Sequence, residues 1–202
     1  MGVTRIPTAT PAQASLPGFE PEPERIDSLY LAILPPAPAA AQIESLAKQL
    51  RGEHGLKGNP LERERLHVSL HYLGGYAGLP QAIVSAARSA AASMALPAFE
   101  IVFDRVGSVA RGQRSQPLML LGGAGMTALN QFQHALGLAL RKTGLGRWAT
   151  ARFTPQLTLL YDDRSLEQTI EPIAWIAQEF VLVHGMVGQS RHEVIGRWPL
   201  RK

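Results

Sequence analysis

The chain has 202 residues, no cysteine, 46% hydrophobic and 18% charged residues, and a formal net charge of +4. That length fits one globular unit or two small lobes sharing a core, and the hydrophobic content excludes disorder over the whole chain. The absence of cysteine excludes disulfides, thiolate nucleophiles, iron–sulfur clusters and cysteine-based zinc sites.

Residues 1–25 hold five prolines and few large apolar side chains, which predicts a flexible arm ahead of a single two-lobed domain over 26–202. The opening MGVTRIPTATPAQASLPG lacks the continuous apolar stretch of a signal peptide. No apolar run reaches the roughly 18 residues of a membrane span. A soluble, cytoplasmic monomer is the expectation. A first strand is predicted at Ser28–Leu34, stopped by Pro35 and Pro36. A helix follows over about Ala39–Arg51, with Ile43, Leu46, Ala47 and Leu50 on one face. After the glycine-rich RGEHGLKGN loop, Leu66–Leu73 reads as a strand closed by Gly74 and Gly75.

An alanine-rich helix is expected over about Pro80–Ala95, with Ile83, Ala87, Ala90 and Met94 as its apolar stripe. Phe99–Val109 and Pro117–Leu121 read as strands. Ala124–Lys142 is the clearest helix: Leu129, Phe132, Leu136 and Leu140 share a face, and His134 falls opposite them. Arg152–Tyr161, Ile173–Ile176, Phe180–Met186 and His192–Trp198 complete the chain as β-structure. Strict βα alternation is missing, so the reading is α+β with antiparallel pairing. Each half contains a helix, a basic Gly-containing loop and then a strand of form (His/Gln)-x-(Ser/Thr)-Leu, at His67 and at Gln156. That echo predicts two similar lobes facing each other, each of antiparallel sheet plus helices.

Charge is unevenly spread. No Asp or Glu occurs between Arg105 and Tyr161, a stretch carrying Arg105, Arg111, Arg114, Arg141, Lys142, Arg147 and Arg152. Such a window suits an anionic partner such as nucleic acid, or a solvated face neutralised by acids from elsewhere. The segment GGAGMTA formally matches a dinucleotide fingerprint, but the acid required about 20 residues on is missing. It reads as a tight strand-to-helix turn.

The segment His67-Val-Ser-Leu-His71 carries more information. On a helix its histidines would share a face, yet position 68 is Val where a zinc protease motif needs Glu. On a strand, His67, Ser69 and His71 share one face, with the outer histidines about 13 Å apart, too far for one ion. No metal is therefore expected. His67 and Ser69 about 7 Å apart suit a phosphate, the hydroxyl donating to an oxygen while the imidazole moves a proton. The strand Pro155-Gln156-Leu157-Thr158-Leu159 presents a second polar pair in the same way.

These two motifs resemble the twin His-x-Thr/Ser-x motifs of the two-histidine (2H) phosphoesterase superfamily, in its 2′-5′ RNA ligase / RNA 2′,3′-cyclic phosphodiesterase branch. The resemblance covers most of residues 28–199, including HGLKGNPLERERLHVSLHYLG, RFTPQLTLLYD and FVLVHGMVGQSRHEVIGRWPL. It implies a two-lobed α+β fold and a cofactor-free, metal-free cleft acting on RNA ends or on a nucleoside 2′,3′-cyclic phosphate. One histidine would deprotonate water or an RNA 5′-hydroxyl, the other would protonate the departing ribose oxygen, and the hydroxyls would bind phosphate oxygens. On that basis His67 is the general acid/base, Ser69 and Thr158 are phosphate clamps, and Gln156 stands where the second histidine is expected. An amide hydrogen-bonds to phosphate but cannot shuttle a proton.

Losing one acid–base partner costs on the order of 10²–10⁴ in rate. Three readings stay open: an impaired or binding-only relative, an introduced Gln156, or replacement by another histidine. His71 lies in the same lobe as His67, His184 reads as structural, His54 lies in a loop, and His192 beside Arg191 suits a phosphate contact. Tyr30, His71 and Arg191 are the predicted substrate-binding residues, with Tyr30, Tyr72 and Trp198 as candidates to stack a base. Tyr72 is the weakest of these, because strict alternation points it away from His67. The alternative from a different class is a non-catalytic RNA- or nucleotide-binding module that retains the cleft.

Overall fold

The computed structural model describes residues 26–108, 115–150, 152–186 and 191–201; the arm expected over residues 1–25 lies outside them. The strands are β1 (Ile26–Ile33), β2 (Val68–Ala77), β3 (Phe99–Ser108), β4 (Gln116–Leu121), β5 (Gln156–Asp162), β6 (Glu167–Ala177), β7 (Glu179–Met186) and β8 (Arg191–Pro199). The helices are α1 (Ala37–His54), α2 (Gln81–Ala92) and α3 (Thr127–Lys142). The predicted elements all form, with boundaries shifted by a few residues, as fraying ends and turns make usual. β2 runs through Gly74 and Gly75 to Ala77 instead of stopping there.

All eight strands join one antiparallel sheet in the order β6-β3-β4-β5-β2-β1-β7-β8. The sheet has two halves of four strands each, β6-β3-β4-β5 and β2-β1-β7-β8. A single cross-strand pair joins them, Val68 opposite Leu157. In each half the motif strand follows its neighbour through a helix: β1–α1–β2 and β4–α3–β5. The expected two lobes are thus two halves of one sheet, related by a pseudo-twofold axis through that pair.

Helix α1 packs against β5 and β6 of the opposite half, and α3 bridges the join, against β3 of its own half and β2 of the other. Leu129, Phe132, Leu136 and Leu140 are buried along α3 as the sequence predicts, and Phe132 contacts Phe99 and Phe180 at 5.3 and 5.1 Å between ring centroids. On α2 the buried stripe is Val84, Ala87, Ala90 and Ala91, so Ile83 and Met94 sit at its margin. The GGAGMTA turn forms as read: a side chain on Gly122 would collide with Met126 and the Val102 carbonyl, so the glycine permits close packing. Among the described residues no helix is long and apolar enough to cross a membrane.

Candidate active site

Val68 and Leu157 are fully buried toward the helices. Alternation therefore turns their neighbours His67, Ser69, Gln156 and Thr158 to the open face of the sheet. Antiparallel register about the Val68–Leu157 pair sets Ser69 across from Gln156 and His67 across from Thr158. Side chains so placed lie about 5 Å apart at Cβ. All four line one cleft of ≈ 360 Å³, with Ser28, Tyr30, Leu61, Arg65, Tyr72, Pro117, Met119, Tyr161 and His192 completing its wall. A larger hollow of ≈ 650 Å³ between α1 and β6 is lined by Glu171 but no histidine, and by none of the motif residues.

The bottom of the cleft is shaped by one irregularity used twice. In β2, Leu70 is skipped in the register against β1, and in β5 Leu159 is skipped against β4. Each bulged leucine is the fourth residue of its motif, and each faces the core. Such a bulge reverses the alternation beyond it. Tyr72 and Tyr161, both five residues past the motif start, therefore turn outward into the cleft wall, where they are 55% and 50% exposed. The reading that Tyr72 points away from His67 is corrected by this bulge. The Leu159 carbonyl, set out of the ladder, accepts a hydrogen bond from Leu61 N at 2.8 Å, which ties the loop before β2 to β5.

The same bulge removes His71 from the substrate-binding set. His71 is 1% exposed and turned to the core side. Its Nε2 donates to the Gln133 carbonyl of α3 at 3.0 Å, and Gly137 leaves α3 room to approach the ring. Burial drives its pKa below 6.5, so it is a neutral core histidine. His184 is likewise structural, bonded to Asp27 at 2.9 Å. Arg191 opens β8 opposite Met186, but its side chain lies outside the described part of the structure. Trp198 stacks on Phe180 in the core, away from the cleft.

Three rings crowd one wall of the cleft. The His67 ring centre lies 4.8 Å from Tyr30 and 5.6 Å from His192. The Tyr30 hydroxyl is 3.0 Å from His192 Nδ1. His67 Nδ1 donates to the Arg65 carbonyl at 2.7 Å, leaving Nε2 for proton exchange. Burial lowers the His67 pKa, opposed by the carbonyl bond and assisted by the Arg65 guanidinium. Burial also pushes His192 down to about 4, with His67 and Arg65 adding to the effect. Tyr30 moves upward, chiefly by burial, so its hydroxyl keeps its proton.

Among the described residues, Arg65 is the arginine that lines this cleft. Its Nε is buried without a protein partner, as expected of a donor that awaits an anion. The described arginines and lysine of the acid-free window line other surfaces, so that window does not build the site. Sequence reading missed Arg65, although it lies two residues before the first motif, and missed Tyr161, although its spacing repeats that of Tyr72. Among the described residues no cluster of three or more His, Asp or Glu side chains is arranged to hold a metal.

The profile of the 2′-5′ RNA ligase superfamily matches residues 35–185. The chain belongs to this superfamily, among the 2H phosphoesterases. Escherichia coli LigT, solved in complex with 3′-AMP, is 26% identical, with 88% of this chain and 99% of that one covered and a TM-score of 0.62. A structure described as a phosphoesterase is 25% identical over 90% of this chain and 100% of its own, also with a TM-score of 0.62. A Thermus thermophilus protein shares the fold at 16% identity, covering 86% of this chain and 98% of its own, with a TM-score of 0.69. No curated protein matches the sequence. As in the rest of this 2′-5′ RNA ligase superfamily fold, the architecture is α+β.

Proposed function

We propose that the cleft binds RNA ends and turns over their 2′,3′-cyclic phosphate, opening it to a 2′-phosphate, or joins such ends reversibly in 2′-5′ linkage. The observation that carries the reading is the meeting of His67-Val-Ser with Gln156-Leu-Thr at one cross-strand pair, which gives four polar side chains on one open face. Membership of the 2′-5′ RNA ligase superfamily supports the substrate class, as does the capture of 3′-AMP by LigT. In this reading Ser69 and Thr158 donate hydroxyl hydrogens to the non-bridging oxygens, and Arg65 supplies the positive charge. His67 moves a proton to or from the ribose oxygen, and Gln156 hydrogen-bonds the phosphate without exchanging protons. Tyr72 and Tyr161, flanking the phosphate site on opposite strands, stack the neighbouring bases.

Gln156 holds the rate below that of a chain with histidine at both motifs. The test is incubation of the protein with adenosine 2′,3′-cyclic phosphate, with and without chelator, beside Gln156→His. Turnover in both, faster in the variant and indifferent to chelator, is the expected result. Binding without turnover in the native protein would assign the cleft to a non-catalytic nucleotide-binding module instead, and inhibition by chelator would contradict proton transfer without a metal.

A further inference from the structure

The motif position that should carry the second histidine holds Gln156, yet a second imidazole stands in the same cleft. We propose that His192, from the C-terminal strand β8, is the second proton-transfer group of this site, taking over the task that Gln156 cannot perform. The inference rests on the reading of the cleft as a cyclic phosphodiesterase or 2′-5′ ligase site.

Four observations carry it. His192 lies in β8, three strands from β2 in the sheet order, yet its ring centre lies 5.6 Å from that of His67. Strands packed side by side are about 4.8 Å apart, so in an uncurled sheet the three strand spacings alone would keep the two residues at least about 14 Å from each other. The convergence is built by the chain. Gly185 of β7 pairs with His192, and a Cβ there would strike Ser28 Oγ and meet the His192 and Tyr30 rings at 3.6 Å. The glycine thus vacates the space in which Ser28, Tyr30 and His192 gather. The ring is also oriented: Tyr30 engages Nδ1 at 3.0 Å, and a second edge contact of 5.9 Å holds the planes nearly perpendicular. With Nδ1 so engaged, Nε2 is the nitrogen available to the cleft. Finally, His67 and His192 both line the cavity that holds Ser69, Gln156 and Thr158.

The environment divides the roles. Two imidazoles this close, beside Arg65, cannot both be charged, so the pair carries a single positive charge when an anionic phosphate is bound. His67, whose Nδ1–H is stabilised by the Arg65 carbonyl, holds it; His192 is the more strongly depressed of the two and stays neutral. His192 Nδ1–H then donates to the Tyr30 oxygen, and its Nε2 lone pair accepts the proton of water as that oxygen bonds to phosphorus. The phosphorus–oxygen bond to one ribose oxygen breaks with its electron pair, and that oxygen takes the proton from His67 Nε2. Water and cyclic ester give a phosphomonoester and a free hydroxyl. The proton gained by His192 returns to His67 before the next turnover.

The experiment compares native protein, His192→Asn, and His192→Asn with Gln156→His, on adenosine 2′,3′-cyclic phosphate, with binding measured separately by calorimetry. Asparagine retains an amide at the position of Nδ1 and keeps the Tyr30 contact, so a structural role survives the change while proton transfer does not. The expected result is a kcat loss of about 10²–10⁴ with KM and affinity changed by less than roughly threefold. Recovery of kcat in the double variant, which returns a histidine to the motif, is expected with it. Undiminished turnover in His192→Asn overturns the inference and leaves the reading of the cleft standing. Loss of binding together with turnover, or failure of Gln156→His to rescue, also overturns it. Native protein that binds the nucleotide without turnover removes the reading and the role of His192 together. Should His192→Asn fail to fold, His192→Gln carries the same comparison.

Discussion

The two motif strands, β2 and β5, are built to one backbone plan and furnished with different chemistry. Each starts with its polar motif, buries its second residue on the shared axis, bulges at the fourth and turns a tyrosine outward at the sixth. Their partners differ. Opposite Tyr72, β1 supplies Tyr30, whose hydroxyl reaches His192; opposite Tyr161, β4 supplies Pro117, which has nothing to donate or titrate. His67, Tyr30, Arg65 and His192 thus collect on one side, while Gln156, Thr158, Pro117 and Met119 form a neutral wall on the other. Pseudo-symmetry of the backbone fixes where groups point and leaves open which groups they are. A phosphate can be gripped evenly from both halves while protons move in one.

That asymmetry is broken most severely by His67→Ala. Turnover should fall by about 10²–10⁴, whereas Gln156→Ala, which removes only hydrogen bonds to a bound phosphate, should cost about tenfold or less. Both variants should keep their thermal midpoint, because both side chains are only half-buried and face the open cleft. Equal losses for the two, measured as kcat on adenosine 2′,3′-cyclic phosphate, would restore chemical symmetry to the halves and remove the distinction drawn between them.

The outward tyrosines test the symmetry in the opposite sense. Tyr72→Ala and Tyr161→Ala should each weaken binding of a dinucleotide by about 1–3 kcal/mol, the range for one stacked base. A mononucleotide can occupy one platform at a time, so it should respond to one of the two changes far more than to the other. If neither substitution alters affinity in a titration with oligoribonucleotides, the tyrosines are exposed without function.

The fold was legible because its elements carry strong periodic signals: the α3 stripe, the apolar strands and the repeated motif 89 residues apart each state one structure. His67, Ser69, Gln156 and Thr158 were legible because alternation holds over the first three residues of each motif. Sequence reading failed at the fourth. A bulge changes the count of residues between strands without changing composition, so His71 was expected in the cleft and Tyr72 outside it, the reverse of their places. His192 could be seen as a histidine near the end of the chain. Its arrival beside His67 depends on curling of the sheet and on the missing side chain of Gly185, which no local pattern announces.

The join between the halves also has a weak point away from the chemistry. The buried Asp162, at the end of β5, accepts from Lys57 N at 2.6 Å, Gly58 N at 2.7 Å and Arg164 N at 3.0 Å. These bonds pin the loop of the first half over the second, and Gly58 allows it to press against the Tyr161 carbonyl. Asp162→Ala should cost about 1–3 kcal/mol of stability by leaving three backbone donors unpaired. That corresponds to a fall of roughly 2–12 °C in Tm for a chain of this size. An unchanged Tm would show that the loop is held by Leu61 and the neighbouring ladder alone.

The two halves also separate by their response to pH. His192 lies at about 4 in the folded protein against an ordinary 6.5, with burial the main cause, and His67 is shifted in the same direction. Between those two values the unfolded chain binds a proton on His192 that the folded protein refuses. Stability from this group is therefore complete above pH 6.5 and is lost progressively as pH falls toward about 4. His192→Asn should flatten the decline of Tm over that window, while Gln156→Ala should leave it as steep as in the native protein, since an amide takes up no proton there. A native Tm that does not change between pH 6.5 and 4 would mean that water reaches His192 freely, and with that the crowded wall of rings would no longer distinguish one half of the cleft from the other.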